Sequence, residues 1–506
     1  MIEGKHRHKC HKIFRNNIYR SKRLQPWLKR YQNPNLQPIY DDNVAAVLES
    51  QGYSVQSNPR SVLDVDKLFE ALEGYAPGKV KNPKPSRYYD NGISLAYACF
   101  ARPKSIECLQ PLDFTPETLV KITSKMKSSA GLTNFGHTKA ESLTRALERG
   151  LQTINRVKKP EPCLCFARTQ FNDKTRLVWG YPYSMTGIEG LFARPLIDRF
   201  KEAPGVMAFS QTTLTLGSRI RIASYHKEWA YSLDMSQYDA HVSEQLIRKA
   251  FKILSTWFDL NQIEPASGEK YSNIWKLIVD YFIHTTIVMP DGHIYYGKDH
   301  GVPSGSYFTQ MVDSIVNVIL LGAASSRFDL HVDREDIFVL GDDILFFSNR
   351  RMDLNNLSRF INHDFSVLVH GSEKSEIVRY DQPIRFLGRT WINGIPDMPV
   401  QDIIDRLVNP ERFRKRSKDP DRAASEVFFM FVCMATQYKE AFRILRKCYG
   451  FQNPHARTVS LYALYCGNLN LSDIDPSYLS GLMSYLLQYH WSDEDKKDWY
   501  VLNFLK

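Results

Sequence analysis

"FVLGDDILFF", residues Phe338–Phe347, sets two apolar runs around one glycine and two adjacent aspartates. The flanks are short, β-branched and aromatic, the pattern of strands covered on both faces. Gly341 supplies the backbone freedom of a tight turn, so the stretch predicts a hairpin. Asp342 and Asp343 then stand side by side at its tip. Aspartate after glycine is ordinary turn chemistry. Whether these two are more than turn residues depends on what else the chain brings to them.

The chain has 506 residues, 43% of them apolar and 12% aromatic, which is enough for several packed cores and argues against disorder. Its formal charge of +11 favours a polyanionic partner, of which nucleic acid is the commonest. Eight cysteines without scaffold spacing point to a reducing setting. "CLC" at Cys163–Cys165 suits strand packing better than zinc, and "HRHKCH" at His6–His11 reads as a basic tail before a metal site. No stretch reaches the roughly 20 consecutive apolar residues of a membrane span, and the amino terminus lacks an apolar signal core. A soluble, non-secreted protein is expected.

Residues 1–32 carry ten Lys/Arg against one acidic residue, Glu3, as either a solubilising tail or an arm that touches RNA or a protein surface. Residues 76–90, rich in Pro, Gly and Lys, predict a linker or long loop. The pattern between about 115 and 157 reads as helical, opening at Thr115-Pro116. Hairpins are expected over 163–181, turning at Asn172-Asp173, and around Pro290-Asp291-Gly292. A helix after Asp239 presents Leu246, Ile247, Ala250, Phe251 and Leu254 on one face, and the chain beyond Pro399 reads as helical, with Gly450 capping one helix. The fold class is therefore α+β with an all-α tail.

"SLDMSQYD" ends an apolar strand on Asp234 and reaches Asp239 where a helix begins. Asp239 suits an N-cap and Asp234 a turn. The other reading pairs Asp234 with Asp342 or Asp343 across neighbouring strand ends. Carboxylates that converge in a cleft repel unless a divalent cation lies between them, and hard oxygen ligands with open positions suit Mg²⁺ completed by substrate phosphates. Two such ions about 4 Å apart activate an attacking hydroxyl and stabilise a leaving pyrophosphate. "GVPSGSYFTQMVDSIVN" adds an irregular loop through Gly301, Ser304 and Gly305, then a helix with Thr309, Asp313 and Asn317 at successive i+4 positions, a row able to hold a sugar. Lys174 and Arg176 lie one strand period apart, with Arg168 across the turn; they are either surface charges or a clamp for a triphosphate.

In this order the segments resemble the viral RNA-dependent RNA polymerases, most closely those of partitivirus-like double-stranded RNA viruses. The resemblance covers roughly residues 160–395, and its strongest parts are "LDMSQYD" (motif A), "GVPSGSYFTQMVDSIVN" (motif B) and "VLGDDIL" (motif C). It implies that Asp234 and Asp342 hold two Mg²⁺ ions, Mn²⁺ being able to substitute, with Asp343 assisting. Asp239, Ser304, Gly305, Thr309 and Asn317 would then contact the nucleotide and template, and Arg168, Lys174 and Arg176 (motif F) the triphosphate. "GSEKSEI" resembles motif D and makes Lys374 the acid for pyrophosphate departure, while "RFLGRTW" resembles motif E. One departure stands out: Asp313 occupies the position where many positive-strand enzymes have asparagine, and Asn317 follows one turn later.

The implied fold is a right hand with fingers, an antiparallel-sheet palm and a helical thumb. Residues 1–75 would form a basic extension bridging fingers and thumb, 76–225 fingers, 226–262 palm, 263–298 a fingers insertion, 299–395 palm and 396–506 thumb. The implied partners are RNA template and product, ribonucleoside triphosphates and a viral capsid protein, with no membrane, in the virion interior and the host-cell cytoplasm. Two other readings are a reverse transcriptase-like polymerase, against which Asp239 and "LGDD" speak, and a non-catalytic RNA-binding, capsid-associated protein, against which the intact acidic positions speak.

Overall fold

Leu340 pairs with Asp343 and leaves Gly341 and Asp342 as a two-residue turn, with Gly341 at φ +67°. Only the first turn residue has positive φ, the arrangement that glycine-first hairpins use to match strand twist. The hairpin predicted from the sequence is therefore present, as β8 (Ile337–Leu340) and β9 (Asp343–Ser348). This computed structural model describes residues 63–409 except 170–174, 204, 210, 212 and 398, with the backbone of Phe14–Ile18 and a few positions between 40 and 55. His6–His11, Lys174 and all expectations beyond Asn409, including most of the helical thumb and the Gly450 cap, lie outside the described residues.

β9 pairs with β4 (Trp229–Leu233), and β4 with β11 (Glu376–Arg379), giving an antiparallel sheet in the order β11-β4-β9-β8. The uninterrupted apolar runs are explained by two separate cores. Ile337, Val339, Ile344 and Phe346 face the main core, where Phe346 stacks on Tyr231 with ring centroids 4.6 Å apart. Phe338, Leu345 and Phe347 face a second core built from the helix Thr213–Tyr225 and the strands β12 (Ile384–Phe386) and β13 (Arg389–Ile392), the latter paired with β14 (Ile395–Asp397). With period-two side chains and both faces covered, no position along the hairpin can be polar except its end.

A second sheet, in the order β1-β7-β6-β2-β3, is built from β1 (Phe14–Ile18), β7 (His293–Tyr295), β6 (Ile287–Val288), β2 (Cys163–Thr169) and β3 (Thr175–Gly180). Both expected strand pairs lie in it, the turn expected at Asn172-Asp173 falling outside the described residues, and Cys163 and Cys165 are buried in β2. β1 adds a strand from the basic arm to the sheet edge. A short pair, β5 (Met235–Ser236) with β10 (Leu368–Val369), extends the segment after Asp234. Two expectations change. Residues 123–142 are irregular with short 3₁₀ turns between the helices Pro116–Ile122 and Leu143–Ile154, because Gly131 and Gly136 adopt φ of +63° and +85°. The loop expected over 76–90 ends at Ser86, whose Oγ accepts from Tyr89 N (3.2 Å) and starts the helix Arg87–Phe100.

The helix Thr309–Phe328 runs through the middle of the molecule, with Thr309 and every residue from Met311 to Ala324 buried. By length and composition it is apolar enough to cross a membrane, but here that apolar surface is core. The helix Arg87–Phe100 crosses it at bare backbone. A methyl group on Gly92 would collide with Ile319 O, and one on Gly322 would lie 2.9 Å from Gly92 Cα. Gly92→Ala is therefore expected to cost about 1–3 kcal/mol of unfolding free energy, whereas Gly205→Ala, which has room, should be neutral or slightly stabilising. Urea unfolding of the two variants checks this, and equal effects would refute the close-packing argument.

Candidate active site

Leu233 pairs with Ile344, so Asp234 and Asp343 are neighbours at adjacent strand ends, with Asp342 at the turn beside them. All three side chains reach solvent. The chain after Asp234 turns through Gln237, in left-handed backbone at φ 48°, into the short helix Tyr238–His241. Asp239 thus lies in the first turn and is not the N-cap that its position in the sequence also allowed. Its carbonyl accepts from Val302 N (2.7 Å), which ties this helix to the 301–308 loop.

The electrostatics show how closely the acids crowd. Burial and the charge of Asp342 push the Asp239 carboxyl up to about 6, against the opposing pull of Arg176. Asp343 also rises to about 6, although its side chain reaches solvent. Partial desolvation at the strand end acts first, then Asp342 and Asp234, again against Arg176. Asp313 is held well above the usual carboxylate range by burial and by Asp239 and Asp342, and its buried Oδ1 has no hydrogen-bond partner among the described residues. Five carboxylates from four chain segments therefore share one locality with Arg176.

The helix Thr309–Phe328 supports this cluster from below. Asn317 Nδ2 donates to Gly341 O and to Asp342 O, both at 3.1 Å, and Gly341 N donates to Ser314 Oγ at 2.9 Å. Asp313, not Asn317, is the member of the polar row that adjoins Asp239 with an unused oxygen. Thr309 is buried and its Oγ1 donates to Pro303 O (2.7 Å), which closes the loop onto its helix. Ser304 Oγ accepts from Trp179 N (3.2 Å), and a methyl group on Gly305 would collide with Trp179 O. Ser304 and Gly305 themselves stay exposed. Arg176 lies opposite Arg168 on β3 and β2.

Lys374 stands apart from the acids by one residue that nothing in the sequence singled out. His370 N donates to Asp234 O (2.9 Å), and the ring places Nδ1 3.1 Å from Glu373 Oε1 and Nε2 3.3 Å from Lys374 Nζ and 3.6 Å from Asp234 Oδ1. With the Nδ1 proton toward Glu373, Nε2 accepts from the Lys374 ammonium. Asp234 N donates to Ser375 Oγ (3.1 Å), so the segment 370–375 is pinned to the end of β4.

Among the described residues no three acidic, histidine or cysteine side chains close on one point tightly enough to hold a metal unaided. The donor set nevertheless fits a Mg²⁺ that keeps waters and takes substrate oxygens, since such an ion needs only one or two carboxylates. Asp234 and Asp342 offer hard oxygens open to solvent, and the raised Asp343 and Asp239 show that negative charge there lacks compensation.

Strand-end acids, a central helix beneath a Gly-Asp turn and a basic hairpin thus come together at one site. Residues 124–406, more than half of the chain, match the viral RNA-dependent RNA polymerase family, and the chain belongs to that family. It is 32% identical over 219 residues to the RNA-directed RNA polymerase of Cryptosporidium parvum virus 1 (strain KSU-1), covering 40% of each chain. It is 21% identical over 307 residues to that of White clover cryptic virus 1, covering 55% of this chain and 49% of the other. The chain thus spans less than half the length of these curated relatives. Its fold is that of the polymerase of a human picorbirnavirus (TM-score 0.63, 16% identity, 100% of this chain and 97% of that one) and of Sicinivirus 3Dpol (TM-score 0.64, 15% identity, 86% and 98%). The right-hand fold expected from the sequence is the fold observed.

The raised carboxyl groups set a pH dependence. A carboxyl raised above its unfolded value favours the folded state fully below the ordinary value near 3.8, and that contribution is lost as pH rises through about 6. A divalent cation bound to the ionised site restores stability only where the protons have left. Millimolar Mg²⁺ should therefore raise Tm by a few degrees at about pH 7.5 and by much less at about pH 5. Differential scanning fluorimetry reads this, and equal shifts at both pH values would remove the metal assignment.

Proposed function

We propose that this protein carries out template-directed RNA synthesis, transferring nucleotides from ribonucleoside triphosphates to a growing strand with release of pyrophosphate. The observation that carries the proposal is the convergence of Asp234, Asp239, Asp313, Asp342 and Asp343 beside Arg176. Likeness to the partitivirus-like enzymes extends it to transcription and replication of a double-stranded RNA viral genome, with a capsid protein as partner, in the virion interior and the host-cell cytoplasm. The basic balance of the chain supports an RNA partner.

Each residue then has a physical task. Asp234 and Asp342 would hold two Mg²⁺ ions, with Asp343 adding charge at the strand end. When bound, the ions supply activation of the attacking hydroxyl and charge neutralisation on the departing pyrophosphate. Arg176, with Arg168 and Lys174, grips the triphosphate, for which guanidinium forks suit paired oxygens. Ser304 and Gly305 present exposed hydroxyl and backbone to the nucleotide and template, while Thr309 holds that loop in shape. Lys374, steered by His370, donates the proton to pyrophosphate.

Ribose selection falls to Asp239 and Asp313. The Asn317 amide nitrogen is already engaged on both turn carbonyls, whereas Asp313 keeps an unpaired buried oxygen beside Asp239. A site built to hydrogen-bond a hydroxyl rejects the analogue that lacks it. Asn317 acts instead by holding Asp342 in place.

Primer extension on an RNA template tests these assignments. Asp342→Asn should lower incorporation by at least about 10³-fold with RNA affinity retained, and near-normal turnover would end the polymerase reading. A preference for deoxynucleotides in the wild type would move it to reverse transcription. Asp313→Ala should relax the rNTP over dNTP preference by about tenfold or more, while Asn317→Ala lowers kcat and keeps the preference. The reverse pattern would assign ribose reading to Asn317.

A further inference from the structure

The loop that carries Ser304 and Gly305 is held from the fingers side by a residue outside every motif, Glu189. It lies in the middle of the helix Tyr183–Glu202, fully buried. Ser306 Oγ lies 2.8 Å from Glu189 Oε1 and 2.9 Å from Oε2, and Tyr307 N donates to Oε2 at 2.9 Å. Among the described residues no cation pairs with this carboxyl. Burial pushes it up to about 8, against the pull of the Tyr307 N–H and the Ser306 and Tyr181 hydroxyls.

A buried carboxyl is a poor source of stability, since an apolar side chain of similar volume would fill the same space without desolvating a polar group. What this carboxyl supplies is direction. Its contacts converge on two consecutive residues immediately after Ser304-Gly305. Two further fingers elements reach the same segment: Trp179 through its backbone at Ser304 and Gly305, and Ile122 O, which accepts from Tyr307 Oη (2.8 Å). The segment 304–307 is therefore suspended between three fingers elements on one side. On the other, Val302 N bonds Asp239 O and the chain runs into the helix bearing Asp313.

We infer that Glu189 is a positioning residue for nucleotide selection: by holding Ser306 and Tyr307 it fixes the height of Ser304 and Gly305 above Asp239 and Asp313, without touching the reacting groups. The inference rests on the polymerase reading above. It assigns Glu189 an effect on nucleotide affinity and ribose preference and little effect on the chemical step, because the metal-binding acids stand on strands that the carboxyl does not contact.

Steady-state extension of a primed RNA template by the full chain tests it. Glu189→Ala should raise KM for the ribonucleoside triphosphate about tenfold and weaken rNTP over dNTP preference, with kcat held within about threefold. Glu189→Gln, which keeps one acceptor oxygen, should recover most of the KM. Ser306→Ala should reproduce the KM rise, and the Glu189→Ala/Ser306→Ala pair should add little to either single variant, as expected for partners in one interaction. If Glu189→Ala does not fold, Ser306→Ala alone decides by the same KM and preference readouts. Unchanged KM and preference in the folded variants, or equal loss of kcat and kcat/KM with no recovery by glutamine, would overturn the inference while an active wild type leaves the polymerase reading intact. An inactive wild type would overturn both.

Discussion

Carboxylates that repel one another are kept together here because neutral interactions, mostly made by backbone, fix the elements that carry them. Asp342 is held through its own carbonyl by Asn317, Gly341 through its N–H by Ser314, and Asp234 through its carbonyl and N–H by His370 and Ser375. None of these bonds uses a carboxylate oxygen of Asp234 or Asp342. The side chains therefore stay free to bind ligands while their supports absorb the repulsion. Removing charge at the site and removing a support beneath it are for that reason different experiments, one acting on chemistry and the other on geometry.

The same logic explains why the central helix is buried along nearly its whole length. Asn317 and Ser314 can support the turn only from directly below it, and a helix in that place has no solvent-facing side. Its polar row is then surrounded by protein, where each unsatisfied group is costly. Most of the row is satisfied within the fold. Asp313 Oδ1, among the described residues, is not.

The 301–308 loop is tied to several separate elements around the site. Trp179, Glu189 and Ile122 hold its one side, while Asp239 holds its start. Gly305 has no side chain because Trp179 O occupies that space, and Gly301, at φ +82°, lies against the Tyr75 ring. The hairpin bearing Asp342 is held separately, between two cores.

The sequence by itself determined the chemistry and the local elements. Uninterrupted apolar runs around a glycine point to a buried hairpin with Asp342 and Asp343 at its tip, and only the rest of the chain, Asp234 above all, raised those two above ordinary turn residues. Asp234 stood out as a charge at a strand end, and Arg176 as a charge on one strand face, either surface or clamp. Only the tertiary structure decided how the helical polar row divides, with Asn317 under the turn and Asp313 toward Asp239, since one helical turn of spacing cannot say which residue meets which neighbour. His370 and Glu189 were invisible in the sequence. Each acts across a long chain separation or through a ring whose partners come from another strand, and a lone histidine or a glutamate in an apolar helix carries no local signal of what will be folded against it.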